Sequence, residues 1–261
     1  MPKVWGDYRA MKLFLATPST LGGQGDFLKN MALNNDLYIL ESFFYINNFV
    51  TKHIPLFKDF LLDSGAFTFM NTPQKIDYKE YTKNFINFIN QNDIKHFFEL
   101  DIDLLIGYAE TLKLRKFIEQ ETNKKVIPVF HKSRGLKEWE KMCEEYDYVA
   151  VGTIGEYRTH SEILKHLLKI ARKYKTKVHG LGFTSLTKLQ EYDFYSVDST
   201  SWNCGNRFGT IYNFTGSRLK VITRPENCRI ITNKVLKHNF SEWVKYSKYA
   251  DCNFNYRGYY V

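Results

Sequence analysis

Short apolar runs alternate along this chain with longer amphipathic stretches. The runs at 11–16, 37–40, 60–63, 96–101, 125–130, 148–152, 177–182 and 194–198 read as predicted strands. Most are apolar at successive positions, as strands covered on both faces require, rather than alternating apolar with polar. Between them, helical spacing predicts a helix over 77–92, with Tyr81, Phe85, Phe88 and Ile89 on one side, Asp77 as N-cap and Glu80 completing a capping box. Further helices are predicted at 109–120, 136–145, 159–174 (Ile163, Leu167 and Ile170 on one face) and 185–191. Eight β-runs, most followed by a helix, predict an α/β protein with a (β/α)₈ TIM barrel. The second unit is the weakest, because 41–55 is aromatic-rich without helical periodicity. After Asp198 the alternation stops: 199–229 reads as irregular, with β-like Val221-Ile222-Thr223, and a last helix is predicted at 241–249. Without a repeat or linker, 1–261 reads as one domain, with a barrel core at about 11–200 and a basic C-terminal segment at about 201–261.

In such a barrel every strand ends at one mouth, where chemistry is placed. The residues falling there are Asp63, Asp101, Asp103, His131, Gly152, Glu156, His179, Gly182 and Asp198. Carboxylates crowded in one pocket raise at least one pKa, which suits a division between nucleophile and proton carrier. Taken singly, a strand-end aspartate is often only the N-cap of the next helix, an even choice for Asp103. Asp63 and Asp198 stand out because Ser64-Gly65-Ala66 and Ser199-Thr200 follow them, small residues that let a ligand approach the backbone.

Composition narrows the partners. The 261-residue, 30.9 kDa chain has room for one large α/β domain, and its 16% aromatic content includes 21 Phe and 18 Tyr. That excess rises together with Ile, Asn and Lys, so an AT-rich coding genome explains part of it. Net charge is +9 with a pI near 9.2, which favours a polyanion. From Arg218 to Lys248 basic residues outnumber Glu226 and Glu242 heavily, as on a phosphate-facing surface, although the same tail would serve a homodimer contact. Cys143, Cys204, Cys228 and Cys252 are scattered, which supports neither zinc nor a disulfide framework. With no signal peptide or membrane-length run, the chain reads as soluble, reduced and cytoplasmic.

Five segments, taken in order, carry a resemblance. Asp63-Ser64-Gly65-Ala66-Phe67 resembles the DSG(G/A)F motif of the tRNA-guanine transglycosylase superfamily, and Glu99-Leu100-Asp101 lies where that family has its next strand-end Asp. Val151-Gly152 with Gly155-Glu156 resembles the family's GGLAVGE loop, one residue shorter. His179-Gly180-Leu181-Gly182 is similar to its MGVG segment, and Val197-Asp198-Ser199 to its second catalytic Asp. The resemblance covers about 11–210 and implies a pentosyltransferase that exchanges guanine in nucleic acid for a 7-deazaguanine without any cofactor. It implies Asp198 as the nucleophile at C1′, Asp63 as general acid/base, Asp101 as acceptor from guanine N1 and N2, the Gly152 backbone as a further hold on the base, and Glu156 near the 7-substituent. Ser64 lies within the first motif and would line the same pocket.

The departures matter too. The family's tRNA enzymes carry a CxCxxC…H zinc site, which nothing here matches, so no metal is expected. His179 stands where the family often has Met against the base, and His131 lies near its Gln-containing motif. A short, basic, zinc-free chain is similar to the viral (phage) DNA-guanine transglycosylases, which implies DNA as partner and a free 7-deazaguanine base as second substrate. A guanosine in DNA must be flipped out to reach such a pocket. Phe67 and Trp202 are as much candidates for stacking on it as for core packing, whereas Phe69 and Phe183 read as core. Arg207 is placed either to grip a phosphate or to make a surface salt bridge. Three alternatives remain: the same exchange on tRNA, a catalytically silent nucleic-acid-binding subunit, and an unrelated barrel glycosidase.

Overall fold

The computed structural model describes residues 11–72, 77–152, 161–183, 189–222 and 231–253. Eight parallel strands line up as Lys12–Ala16 (β1), Tyr38–Ser42 (β2), Asp59–Asp63 (β3), His96–Phe97 (β4), Val129–Phe130 (β5), Tyr148–Val151 (β6), Lys177–Gly180 (β7) and Ser196–Ser199 (β8). Their order is β4-β3-β2-β1-β8-β7-β6-β5, and a parallel bridge from Phe98 to Ile127 joins the two ends of the sheet. The result is a TIM-barrel-like ring, as the sequence predicts. Strands β4 and β5 are shorter than their apolar runs: β4 stops short of the end of its run, and β5 occupies only the last two residues of its own.

Alternation sorts the side chains into two cores. Phe14, Leu40, Leu61, Phe98, Val129 and Ala150 fill the interior. Leu13, Leu15, Ile39, Phe60, Leu62, Phe97 and Val149 point outward under the helices. On β3 this parity puts Asp59, Leu61 and Asp63 inside, so one strand carries a carboxylate at each end of the apolar plug.

The long outer helices are Gly25–Asn34 (α1), Tyr78–Gln91 (α4), Tyr108–Thr122 (α6), Leu136–Glu145 (α7), Ser161–Lys173 (α8) and Thr232–Asn253 (α10). The short ones are Asn48–Thr51 (α2), Ala66–Asn71 (α3), Asp103–Ile106 (α5) and Cys204–Phe208 (α9). Asp77 caps α4 as predicted, but its Oδ1 accepts from the Lys79 N–H at 2.9 Å, the second position of the helix rather than the third that a capping box uses. In the weak second unit, α2 is a single turn capped by Asn47, and Phe43 packs edge-on against Tyr81 and Phe85 of α4. Aromatic packing thus replaces the helical face that the sequence lacks there.

The C-terminal segment departs most from expectation. Instead of an extension outside the barrel, 201–253 supplies the last outer helix. A hairpin of Ile211–Phe214 (β9) and Leu219–Ile222 (β10) leads into α10, which is 22 residues long and begins well before the predicted 241. Leu236, Phe240, Trp243, Val244 and Ala250 are buried, and Ser247 Oγ donates to the Leu13 carbonyl at 3.0 Å. Its basic residues are partly engaged: Lys245 pairs with Glu242 at 2.5 Å, and Lys237 lies over the Phe27 ring. Arg218, Lys220, Lys234 and Lys248 are exposed, whereas Arg224 and Arg229 lie outside the described residues.

Candidate active site at the strand ends

Asp198, near the end of β8, is buried and held on one side only. Its Oδ1 accepts from the Gly182 N–H at 2.6 Å and faces His179 Nε2 at 3.2 Å. Gly182 has φ +64°, a left-handed turn after β7 that aims its N–H at the carboxylate and that a side chain would strain. Among the described residues Oδ2 takes no hydrogen bond, so the donors seen there fix one oxygen only. His179, fully buried, sits between the rings of Phe14 and Phe98 at 6.1 and 5.1 Å. It was expected against the base; in the structure it lies beneath Asp198 and orients it, because the inward parity of β7 points it into the barrel rather than out of the mouth.

Asp63 closes β3 across the mouth. Burial raises its pKa, the charge of Asp101 raises it further, the Ser42 hydroxyl and the Gly65 N–H pull it down, and Asp198 adds to the rise; the result is about 7. The Gly65 N–H reaches Oδ2 at 3.2 Å. Gly65 is at φ +78°, and a Cβ there would lie 2.8 Å from both Phe44 Cβ and the Tyr81 hydroxyl, so only glycine brings this N–H to Asp63. The small residue after the aspartate serves the carboxylate itself.

Asp101 Oδ2 accepts from His131 Nε2 at 2.6 Å. Burial raises the Asp101 pKa against the pull of His131. Burial lowers that of His131, but the hydrogen bond and charge of Asp101 more than reverse it. Both shifts run upward, so the pair keeps protons to higher pH and titrates as a unit. Gly152 is what makes the pair fit: a Cβ there would come within 2.8 Å of His131 Cε1 and 3.0 Å of Val129 Cγ1. The resemblance implies the Gly152 backbone as a hold on the base; in the structure its missing Cβ gives clearance to His131.

Beneath these groups lies a scaffold that sequence reasoning missed. Glu99, fully buried, accepts from Arg115 Nε and Arg134 at 2.7 Å each and from the Val129 N–H at 2.6 Å. Arg134 also grips Asp103 with two nitrogens, at 2.6 and 2.7 Å, under the Tyr108 ring. Asp103 therefore opens α5 and is held below the usual carboxylate range, since Arg134 outweighs burial. No local signal marks Arg134; its partners are brought to it by closure of the β4–β5 seam.

The remaining expected residues fall in different places. Ser64 is buried with its carbonyl bonded by Tyr81 Oη at 2.7 Å and its Oγ near the Ala66 N–H at 3.4 Å, so it shapes the turn rather than lining a pocket. Phe67 is 79% exposed on α3, beside the mouth. Trp202 is 0% exposed, with its ring N–H donating to the Ala16 carbonyl at 2.8 Å and its ring edge-on to Phe240; this corrects the stacking role, because α10 covers it. Phe69 and Phe183 are core residues, as expected. Glu156 and the Arg207 side chain lie outside the described residues. Among the described residues no group of His, Cys, Asp and Glu is arranged to hold a metal ion, and no helix is long and apolar enough to cross a membrane.

No family model matches the chain, and no curated protein matches it significantly. Solved structures do. A protein from Aquifex aeolicus superposes over 94% of this chain and 95% of its own length, at TM-score 0.57 and 10% identity. Thiamine phosphate pyrophosphorylase from Pyrococcus furiosus covers 92% of this chain and 98% of its own, at TM-score 0.48 and 12% identity. An aldolase, QR15, covers 75% and 91% at TM-score 0.45 and 15% identity. At such identities the first likeness speaks for the barrel alone; a shared barrel is compatible with many chemistries.

Proposed function

We propose that the protein is an enzyme, a base-exchange glycosyltransferase that replaces guanine in DNA with a 7-deazaguanine through a glycosyl ester on Asp198. The observation that carries this reading is the unequal pair across the mouth: Asp198, whose Oδ2 takes no hydrogen bond among the described residues, and Asp63 with a pKa near 7. A carboxylate nucleophile and a separate proton donor are what a double displacement at an anomeric carbon needs. Asp198 Oδ2 attacks C1′ as the bond from C1′ to guanine N9 breaks; the bonding pair leaves with guanine, and Asp63 supplies a proton to it. In the return step the incoming base gives its N9 proton to the Asp63 carboxylate, N9 attacks C1′, and the ester bond breaks to restore Asp198. Two inversions retain configuration, and one glycosidic bond is exchanged for a similar one, so the exchange needs no energy source.

Asp101 would accept hydrogen bonds from guanine N1–H and N2–H on Oδ1, the oxygen that His131 does not engage. The exposed ring of Phe67 is placed to stack on a flipped base, offsetting an unstacking cost of roughly a few kcal/mol. The net charge of +9 supports a nucleic-acid substrate, and the lack of a CxCxxC pattern favours DNA over tRNA. The test is incubation with labelled guanine or a labelled 7-deazaguanine and, separately, DNA and tRNA. Label in DNA supports the proposal, label in tRNA alone transfers it to the tRNA substrate, and label in neither leaves a silent nucleic-acid-binding subunit.

A further inference from the structure

Behind Asp198 a chain of polar groups runs down the barrel axis toward its base. His179 Nε2 faces Asp198 Oδ1 at 3.2 Å, and Ser196 Oγ lies 2.6 Å from His179 Nδ1. The Tyr148 hydroxyl in turn bonds Ser196 Oγ and approaches His179 Nδ1 at 3.5 Å. His179 and Ser196 are fully buried, in a stretch otherwise filled by Phe14, Leu61, Phe98 and Ala150. A polar group in such a place persists only if each donor has an acceptor.

We infer that Tyr148 and Ser196 are positioning residues for Asp198: together they fix the His179 tautomer whose Nε2–H points at the carboxylate. This rests on the reading of Asp198 as the nucleophile. One direction of donation satisfies every group. Tyr148 O–H donates to Ser196 Oγ, Ser196 O–H to His179 Nδ1, and His179 Nε2–H to Asp198 Oδ1. The opposite tautomer would turn a lone pair of Nε2 toward an anionic oxygen. A ring protonated on both nitrogens would leave either the Ser196 or the Tyr148 O–H without an acceptor among these contacts. Burial raises the Tyr148 pKa well above its ordinary value, so the phenol stays a donor. Both fixed donors, His179 and Gly182, then address Oδ1, and among the described residues no donor holds Oδ2. Ser196 and His179 are cross-strand partners of β8 and β7, and Ser196 lies two positions before Asp198 on the same face, so the relay is a product of strand register.

The tautomer is measured directly by ¹⁵N–¹H correlation on protein labelled at histidine, with His179 assigned by loss of its signals in His179→Met. A proton on Nε2 with an accepting Nδ1 is expected; a proton on Nδ1, or on both nitrogens at neutral pH, overturns the inference. Ser196→Ala should shift or broaden the Nδ1 resonance and lower kcat for base exchange by about tenfold or more, with KM within about threefold, and Ser196→Thr should restore both. An Ala variant with unchanged spectrum and unchanged kcat overturns it. If Ser196→Ala does not fold, Tyr148→Phe decides in the same way, with an expected loss of about threefold. Should the wild-type protein exchange no base in any polymer, the proposed reaction fails while the wild-type spectrum still decides the relay.

Discussion

Asp59 and Asp63 stand at opposite ends of β3, on the same inward face, with opposite electrostatic fates. At the base of the barrel, burial pushes Asp59 up, but His96 at 3.0 Å and Lys12 at 2.6 Å outweigh it and hold its pKa below the ordinary value. At the mouth, among the described residues, no cation pairs with Asp63; burial, Asp101 and Asp198 raise it to about 7. Both are half-buried aspartates of one strand. The difference is in what faces them: a structural carboxylate is neutralised, whereas a reactive one is crowded by its own kind. Glu99 and Asp103, one clamped by Arg115 and Arg134 and the other by Arg134, are a second neutralised set only a few residues from Asp101.

The comparison is broken most severely at its nucleophilic end. Asp198→Ala should lower base exchange by about 10⁴-fold or more while DNA affinity, read by anisotropy, changes little; undiminished exchange would remove Asp198 from the mechanism. Next in size is Arg134→Met, which strands Glu99 and Asp103 without their shared cation. A loss of about 3–5 kcal/mol in urea unfolding is expected, and a loss below about 1 kcal/mol would mean that the neutralised set is not what holds the β4–β5 seam.

Asp63→Asn tests the crowded carboxylate in two ways. Exchange should fall by about 10²–10⁴-fold, because the proton carrier is gone. Stability should move the other way, and its pH dependence gives the sign. The folded pKa lies above the unfolded one, so the native state binds more protons from about pH 4 to 7, and wild-type stability declines as pH rises through 7. The Asn variant should therefore melt about 2–4 °C higher than wild type at pH 8, with the gap closing near pH 4. For the active protein the same proton predicts kcat/KM falling above about pH 7. The smallest effect is at the base: Asp59→Asn should leave exchange within about threefold but destabilise by about 1–2 kcal/mol at pH 7. Its folded pKa is depressed, so the wild-type advantage is present above the unfolded value and disappears as pH falls through the folded one. An Asp59 variant as inactive as the Asp63 one would collapse the distinction.

Much of this was legible in the chain. The eight apolar runs and the aspartates that end three of them are local patterns, and each run became a strand because a continuous apolar stretch fits a sheet covered on both faces. Asp63, Asp101, His131 and Asp198 were placed at the mouth by strand counting, and the structure puts them there. Inward parity could have flagged Ser196 from Asp198, two residues away. What did not show was side-chain destination. Trp202 looked like a mouth residue until α10 covered it, and His179 looked like a base contact until β7 turned it inward. The basic tail looked like a surface, yet its amphipathic helix completes the outer ring against β1.

The sequence by itself determined the barrel, the strand ends and the residue types gathered at them, since periodicity and turn chemistry act over a few residues. Only the tertiary structure decided which carboxylates are matched by a cation and which are not. Arg134 reaches Glu99 across 35 residues, and Lys12 reaches Asp59 across 47. Such pairs exist only once the ring has closed, and the pKa of Asp63 follows from the burial and the carboxylates that closure brings beside it.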